Sequence, residues 1–167
     1  MPNLSDFPGE RQNVRLPMMT APAERFFALS PGQRRVAHEL LMEYALAKWQ
    51  AYVERQGEIR YRESVCGTEQ TVDASLPGNA LASVRSGQGI AAVADGYREP
   101  IVAMQDGDLS FPESVTFAYY AIYNFFRRYA MQKEEIDDWL LVNQAGSSED
   151  DEKKRMAVLL SAIERAI

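Results

Sequence analysis

The chain has 167 residues, 46% of them hydrophobic, and a formal net charge of −6. That length fits one domain able to bury roughly 70% of its unfolded surface. The acidic balance excludes nucleic acid as an expected partner, because phosphate binding needs clustered Lys and Arg.

Met1–Pro22 holds four of the eight prolines and no clear periodicity, so residues 1–22 are expected to form an extended or partly disordered arm. Met1–Leu16 lacks a basic region followed by an apolar core, and no signal peptide is expected. Residues 23–167 are read as a single all-helical domain. Ala23–Leu29 suits a short helix that docks Phe26 and Phe27 on the body.

Ser30-Pro31-Gly32-Gln33 is a helix start, with Ser30 and Gln33 spaced for a reciprocal cap and Pro31 where a missing donor costs nothing. The helix is expected to run to Gln56 and stop at Gly57. Glu39, Glu43, Gln50 and Glu54 fall within about 60° on a helical wheel. Leu40, Leu41 and Tyr44 cover one flank with Val36 and Ala47; Met42, Leu46, Trp49 and Val53 cover the other. A helix apolar on two sides is expected to be deeply embedded.

Glu58–Asp73 contains Ile59-Arg60-Tyr61-Arg62, which alternates like a strand, but the helical surroundings favour a helical or irregular connection. Leu76-Pro77-Gly78-Asn79 reads as a turn, followed by a helix over Asn79–Arg85. Another helix begins at Ile90–Ala94. Pro100 is expected to break or kink the chain at Glu99, leaving a short piece over Ile101–Gln105.

Ser110 and Glu113 repeat the capping pattern, and a helix over Pro112–Met131 follows. Seven of the thirteen positions from Phe117 to Tyr129 are aromatic. Glu134–Gln144 is expected to be helical and to end at Gly146. Ser147 or Ser148 should cap the last helix, whose Met156, Leu159, Leu160, Ile163 and Ile167 form an amphipathic stripe. The result is an all-α single-domain bundle of five to seven helices. Pro31–Gln56 and Pro112–Met131 should pack together at its centre.

Charge divides unevenly. Residues 1–62 carry nine basic and seven acidic groups, a balance of +2; residues 63–167 carry nine and seventeen, a balance of −8. From Glu134 to Glu152 there are eight carboxylates and no basic residue. Such a surface suits a basic protein partner, and the alternative is a solvated acidic face. The candidate partner-binding residues are Glu134, Glu135, Asp137, Asp138, Glu149, Asp150 and Asp151. On the aromatic helix, Tyr120, Asn124 and Arg127 share a face that could present a polar patch to a partner. No apolar run approaches the ~20 residues that span a bilayer, so no membrane partner is expected.

No catalytic set is apparent, and neither a metal nor a cofactor is expected. Cys66 is the only cysteine and His38 the only histidine, which rules out an intramolecular disulfide and leaves no nucleophile–base pair to argue from. Cys66 is read as a free core thiol, with a cytoplasmic location as the natural inference. His38 is read as a satisfied buried or boundary histidine. Glu134, Glu135 and Asp138 match the spacing of the Glu-Glu-x-x-Asp run of MazG-type helical nucleotide pyrophosphatases, which resemblance implies Mg²⁺ ligation. The second carboxylate pair would be Glu39 and Glu43, four apart rather than three. Asp106-Gly107-Asp108 lacks the later ligands of a calcium loop and reads as a turn.

Three segments carry a different resemblance: Arg98-Glu99-Pro100-Ile101-Val102-Ala103-Met104-Gln105, Phe117-Ala118-Tyr119-Tyr120-Ala121-Ile122-Tyr123-Asn124, and Asp138-Trp139-Leu140-Leu141-Val142-Asn143-Gln144-Ala145. They resemble the small acidic all-helical immunity proteins of bacterial polymorphic and contact-delivered toxin systems. The resemblance implies a cytoplasmic, non-enzymatic inhibitor that neutralises a cognate toxin by covering its active site. A self-associating helical module, a homo-oligomer built on the tyrosine face, is a third reading.

Overall fold

The computed structural model describes residues 20–167, apart from the side chain of Thr20. The expected arm therefore lies outside the described residues, save 20–22, which belong to the first helix. In chain order the elements are α1 (Thr20–Phe27), α2 (Pro31–Gln56), β1 (Arg60–Arg62), β2 (Glu69–Thr71), α3 (Leu76–Ser86), α4 (Ile90–Asp106), α5 (Glu113–Tyr129), α6 (Asp138–Ser147) and α7 (Glu152–Arg165). The fold is all-α apart from one small hairpin. No described helix is long and apolar enough to cross a membrane.

Helices α2 and α5 meet at the centre, and α3, α6 and α7 pack around them. The start of α2 follows its sequence: Ser30 Oγ accepts from Gln33 N at 3.3 Å, and Ser30 N donates to Gln33 Oε1 at 2.9 Å. Ala37, His38, Leu41, Met42, Ala45, Trp49 and Tyr52 are its buried residues. Val36 is 45% exposed, so the flank assigned to it is only partly covered. On α5, Tyr119, Ile122, Phe125 and Phe126 are fully buried. The Trp49 ring packs on Tyr119 at 5.0 Å and edge-on to Phe111 at 5.2 Å, and its Nε1 donates to Ala74 O. Tyr97 of α4 packs edge-on to Tyr119 at 5.2 Å and tilted against Tyr123 at 4.6 Å.

Several boundaries differ from the sequence reading. Glu58–Asp73 is an antiparallel hairpin with Tyr61 opposite Gln70. The alternation within Ile59–Arg62 was the true signal: Tyr61 is buried, while Arg60 and Arg62 face solvent. Gly67, at φ +68°, supplies the left-handed residue near the hairpin tip. Cys66 is exposed on that tip, where its thiol donates to Glu63 Oε2, so it is not a core thiol.

Leu76–Asn79 is the first turn of α3 rather than a separate turn, with Pro77 where no donor is needed. Pro100 lies inside one continuous α4. Burial of Tyr97, Pro100, Ile101 and Ala103 on one face outweighs a cost of about 3 kcal/mol for an interior proline. Pro112, not Ser110, precedes the first turn of α5. Helix α6 starts at Asp138, not Glu134, and continues through Gly146, where a side chain would meet Leu159 Cδ2 at 3.2 Å. Asp151, not Ser147 or Ser148, caps α7. Phe26 is buried as expected, but Phe27 is 47% exposed.

Phe125→Ala or Phe126→Ala is expected to cost about 3–5 kcal/mol, read as a lower urea midpoint at unchanged slope. Tyr97 and Tyr119 are fully buried, and their hydroxyls have no hydrogen-bond partner among the described residues. Replacing either by Phe removes an unsatisfied polar group, so Tyr97→Phe and Tyr119→Phe should leave the midpoint unchanged or raise it. A loss above about 1 kcal/mol would show that the hydroxyls are satisfied in solution.

Candidate functional site

The acidic residues singled out by sequence do not form one strip. Glu134 and Glu135 sit in a turn between α5 and α6, so Glu134, Asp137 and Asp138 do not share a helical face. That turn follows Gln132, which takes a left-handed φ of 57° and prevents α5 from running on. Asp137 is the α6 cap, its Oδ1 accepting from Trp139 N at 2.8 Å and Leu140 N at 3.2 Å. Asp151 does the same for α7, accepting from Lys154 N at 2.9 Å. Both carboxylates also stand where the helix dipole favours negative charge.

Asp138 and Glu149 are held by cations. Arg128 Nη1 approaches Asp138 Oδ1 at 2.8 Å and Arg34 Nη1 approaches Oδ2 at 3.5 Å. The Arg128 approach is an ion pair without the alignment of a hydrogen bond. Glu149 is buried, and its Oε2 accepts from Lys48 Nζ at 2.8 Å. That bond holds the Glu149 carboxyl below its ordinary value. Arg155 clasps the Glu149 carbonyl through Nε and Nη2. Of the seven acidic candidates, only Glu134, Glu135 and Asp150 are exposed and free of such duties among the described residues.

His38 lies beneath Asp138. Its Nε2 is 2.8 Å from the Asp138 carbonyl, which can only accept, so Nε2 carries the proton. Nδ1 then accepts from the Tyr129 hydroxyl at 2.8 Å. The ring is neutral: burial, helped by the charges of Arg128 and Arg34, brings its pKa down to about 4. Burial likewise pushes Tyr129 up to about 12. Both ring nitrogens are occupied, and the histidine is a fixed joint between α2, α5 and α6.

The tyrosine face of α5 is also partly used internally. Asn124 is buried and donates through Nδ2 to Gln144 Oε1 at 2.9 Å, while Arg127 Nη1 reaches its Oδ1 at 3.4 Å. Arg127 covers the Tyr123 ring at 5.4 Å, and Tyr120 is half-buried. Tyr120 and Arg127 keep some exposed surface; Asn124 joins α5 to α6 instead.

A surface not anticipated from sequence lies where α1, α6 and α7 meet. A cleft of about 60 Å³ is lined by Pro22, Trp139, Val142, Gly146, Met156 and Leu159, with Glu152 and Arg155 on its rim. Beside it the rings of Phe27 and Trp139 pack at 6.0 Å, and Arg34 lies over Phe27 at 5.3 Å. Phe27 and Leu140 are 47% and 40% exposed. Glu134 and Glu135 precede this patch in the turn leading into α6. An exposed ring on a half-buried tryptophan, with Glu152 and Arg155 at the cleft, has the composition of a protein interface: an aromatic centre and a polar rim. The aromatic residues Phe26, Phe27 and Trp139 were legible beforehand, but they became one surface only when α1 packed on α7 beside α6.

The geometry of His38 sets a pH dependence. Its native pKa of about 4 lies below the ordinary 6.5, so protonation favours the unfolded chain. The resulting stabilisation is complete above pH 6.5 and is lost as pH falls towards 4, about 3 kcal/mol in all. Glu149 acts lower: its depressed carboxyl contributes above the ordinary carboxylate range, and that contribution is lost on further acidification. Urea midpoints measured from pH 7 to 4 should show the first loss in the native protein, and His38→Gln should remove it. An unchanged slope in His38→Gln would mean that the histidine is not held neutral.

No family model, curated protein or solved structure matches this chain, so its geometry alone carries the functional reading.

Proposed function

We propose that the protein is a non-enzymatic, protein-binding inhibitor of the immunity type, whose partner is a basic toxin or another basic protein. The observation that carries this reading is the α1–α6–α7 face. Phe27 packs on Trp139, which lines the cleft, and Glu152 of the cleft wall has no ion-pair partner among the described residues; exposed Leu140, Glu134 and Glu135 stand at the start of α6 and in the turn before it, the two glutamates also unpaired. Such a face would bury its rings against an apolar anchor while its carboxylates meet the partner's cations. Of the sequence-derived surface, Glu134 and Glu135 stay exposed in the turn that leads into α6. Tyr120 and Arg127 form a second, smaller patch.

The nucleotide-hydrolase reading has less support. Its first carboxylate run is split, with Glu134 and Glu135 in a turn and Asp138 bound by two arginines. Its second pair, Glu39 and Glu43, is engaged by the single guanidinium of Arg85.

The test uses the product of the reading frame immediately upstream, measured for binding to this protein. Trp139→Ala and Leu140→Asp should weaken the complex by roughly tenfold or more, because central aromatic anchors carry most interface energy. Glu134→Lys with Glu135→Lys should slow association, most strongly at low salt, with little change in dissociation. Variants that keep their circular dichroism and bind at unchanged rates would sink this surface. Sedimentation of the protein alone would reveal self-association instead.

A further inference from the structure

The turn between α3 and α4 opens on a cavity of about 390 Å³. Asn79, Ser83 and Ser86 line it from α3; Gln88, Gly89 and Ala92 line it from the turn and the start of α4. Gly87 and Gly89 both take left-handed backbone, at φ +70° and +71°, and so reverse the chain within three residues. Helix α4 then starts at Gly89 without a side-chain cap, and its first turn carries no acidic residue. The first backbone bond of the helix runs from Val93 N to Gly89 O at 3.1 Å. The N–H groups of Ile90, Ala91 and Ala92 come before it and find no acceptor among the described residues. A start of this kind holds free donors and partial positive charge. Water alone could satisfy it.

Ser83 is what asks for more than water. It is only 5% exposed, it lines this cavity, and its hydroxyl makes no hydrogen bond among the described residues. A side chain that buried normally has a partner. The hydroxyl points at the helix start: a Cβ built on Gly89 would stand 3.5 Å from Ser83 Oγ. The turn is held in that place by Gly87 N, which donates to the Ser83 carbonyl at 2.8 Å. More donors face the same space. Ser86 Oγ accepts from Gln88 N at 3.2 Å, which leaves its own proton free, and the Gln88 amide is exposed beside it. No carboxylate lines the cavity to receive these donors, and no Lys or Arg lines it to bring a charge of its own. The missing partner is therefore a compact group with several acceptor atoms and negative charge, as at other helix starts that hold anions. The absence of a side chain on Gly89 lets such a group approach the backbone closely.

We infer that this cavity binds a phosphate-type oxyanion, free or as a phosphomonoester, whose oxygens accept from the first N–H groups of α4 and from the Ser83 hydroxyl. The site does not depend on the α1–α6–α7 face. Amide NMR on the isotope-labelled full chain tests it, with inorganic phosphate and acetyl-phosphoserine amide as probes and chloride holding the ionic strength constant. Gly89, Ile90 and Ala91 should shift and saturate together. Ser83→Ala should weaken binding by roughly tenfold, the loss of one hydrogen bond to a charged group. The same variant should keep or raise the urea midpoint, because it removes an unpaired hydroxyl from a helix. Gln88→Glu sets a negative charge at the mouth and should abolish binding; Gln50→Glu adds the same charge on α2 and should leave it unchanged. Both glutamines are exposed, so neither change threatens the fold. Saturation by inorganic phosphate alone would assign the cavity to the free ion, and saturation by the phosphoserine probe would assign it to esters. No saturable shift at tens of millimolar of either probe, or the same shifts with chloride, would overturn the inference. So would unchanged affinity or a lowered midpoint in Ser83→Ala.

Discussion

Burial of the ring-bearing face of α5 against α2 is the constraint on which the rest of the structure depends. Tyr119, Ile122, Phe125 and Phe126 are fully removed from solvent, as are Trp49, Met42 and Leu41 opposite them. Each such side chain is worth about 1.5–3 kcal/mol when buried, so no arrangement that exposes this face competes. A helix carrying rings at so many positions cannot be covered by one neighbour. Helices α3 and α6 therefore pack on the remaining sides of α5, and α4 adds Tyr97 against Tyr119 and Tyr123. Close ring packing also explains why the Tyr97 and Tyr119 hydroxyls end up without partners. The ring contacts fix the positions, and the polar tips follow.

The same packing decides what becomes of the charges. A carboxylate near a new helix start caps it, as Asp137 and Asp151 do. One brought near a cation from a distant helix pairs with it, as Asp138 does with Arg34 and Arg128, and Glu149 with Lys48. These interactions tie α6 and the start of α7 to the central pair. They also take Glu149 and most of Asp138 off the surface that a partner would meet, and commit an oxygen of the exposed Asp137 and Asp151 to a helix start. Charge without such a duty concentrates elsewhere: in the turn before α6, and between the hairpin and α4, at Glu99 and Asp106. An acidic run in sequence is thus a poor guide to an acidic surface, because cap geometry and cross-helix pairing depend on neighbours that the run itself does not contain.

Local signals of short range were read correctly from the chain. The Ser30–Gln33 cap, the stop at Gly57, the aromatic content of α5 and the Leu159–Ile163 part of the stripe on α7 all depend on residues within one or two turns of each other, and the all-α class follows from them; Ile167, the last position of that stripe, lies beyond α7 and is 81% exposed. The fate of His38 was legible too, since a lone histidine on an apolar flank has few alternatives. The hairpin was missed because a three-residue strand carries little periodicity, although Tyr61 between two arginines contained it. Pro100 was misread because the penalty for an interior proline is local, while the compensation comes from Tyr97, Ile101 and Ala103 packing on other elements.

What the sequence determined by itself was therefore the helical class, most of the helices and the pair at the centre, since propensity, caps and apolar spacing act within a segment. What only the tertiary structure decided was which polar groups are left over. Exposure of Phe27 beside Trp139 required α1 to pack on α7 next to α6. The approach of the Ser83 hydroxyl to the start of α4 required α4 to fold back on α3. Each site joins residues of separate elements. Burial and pairing at both are set by contacts between elements that no single helix contains.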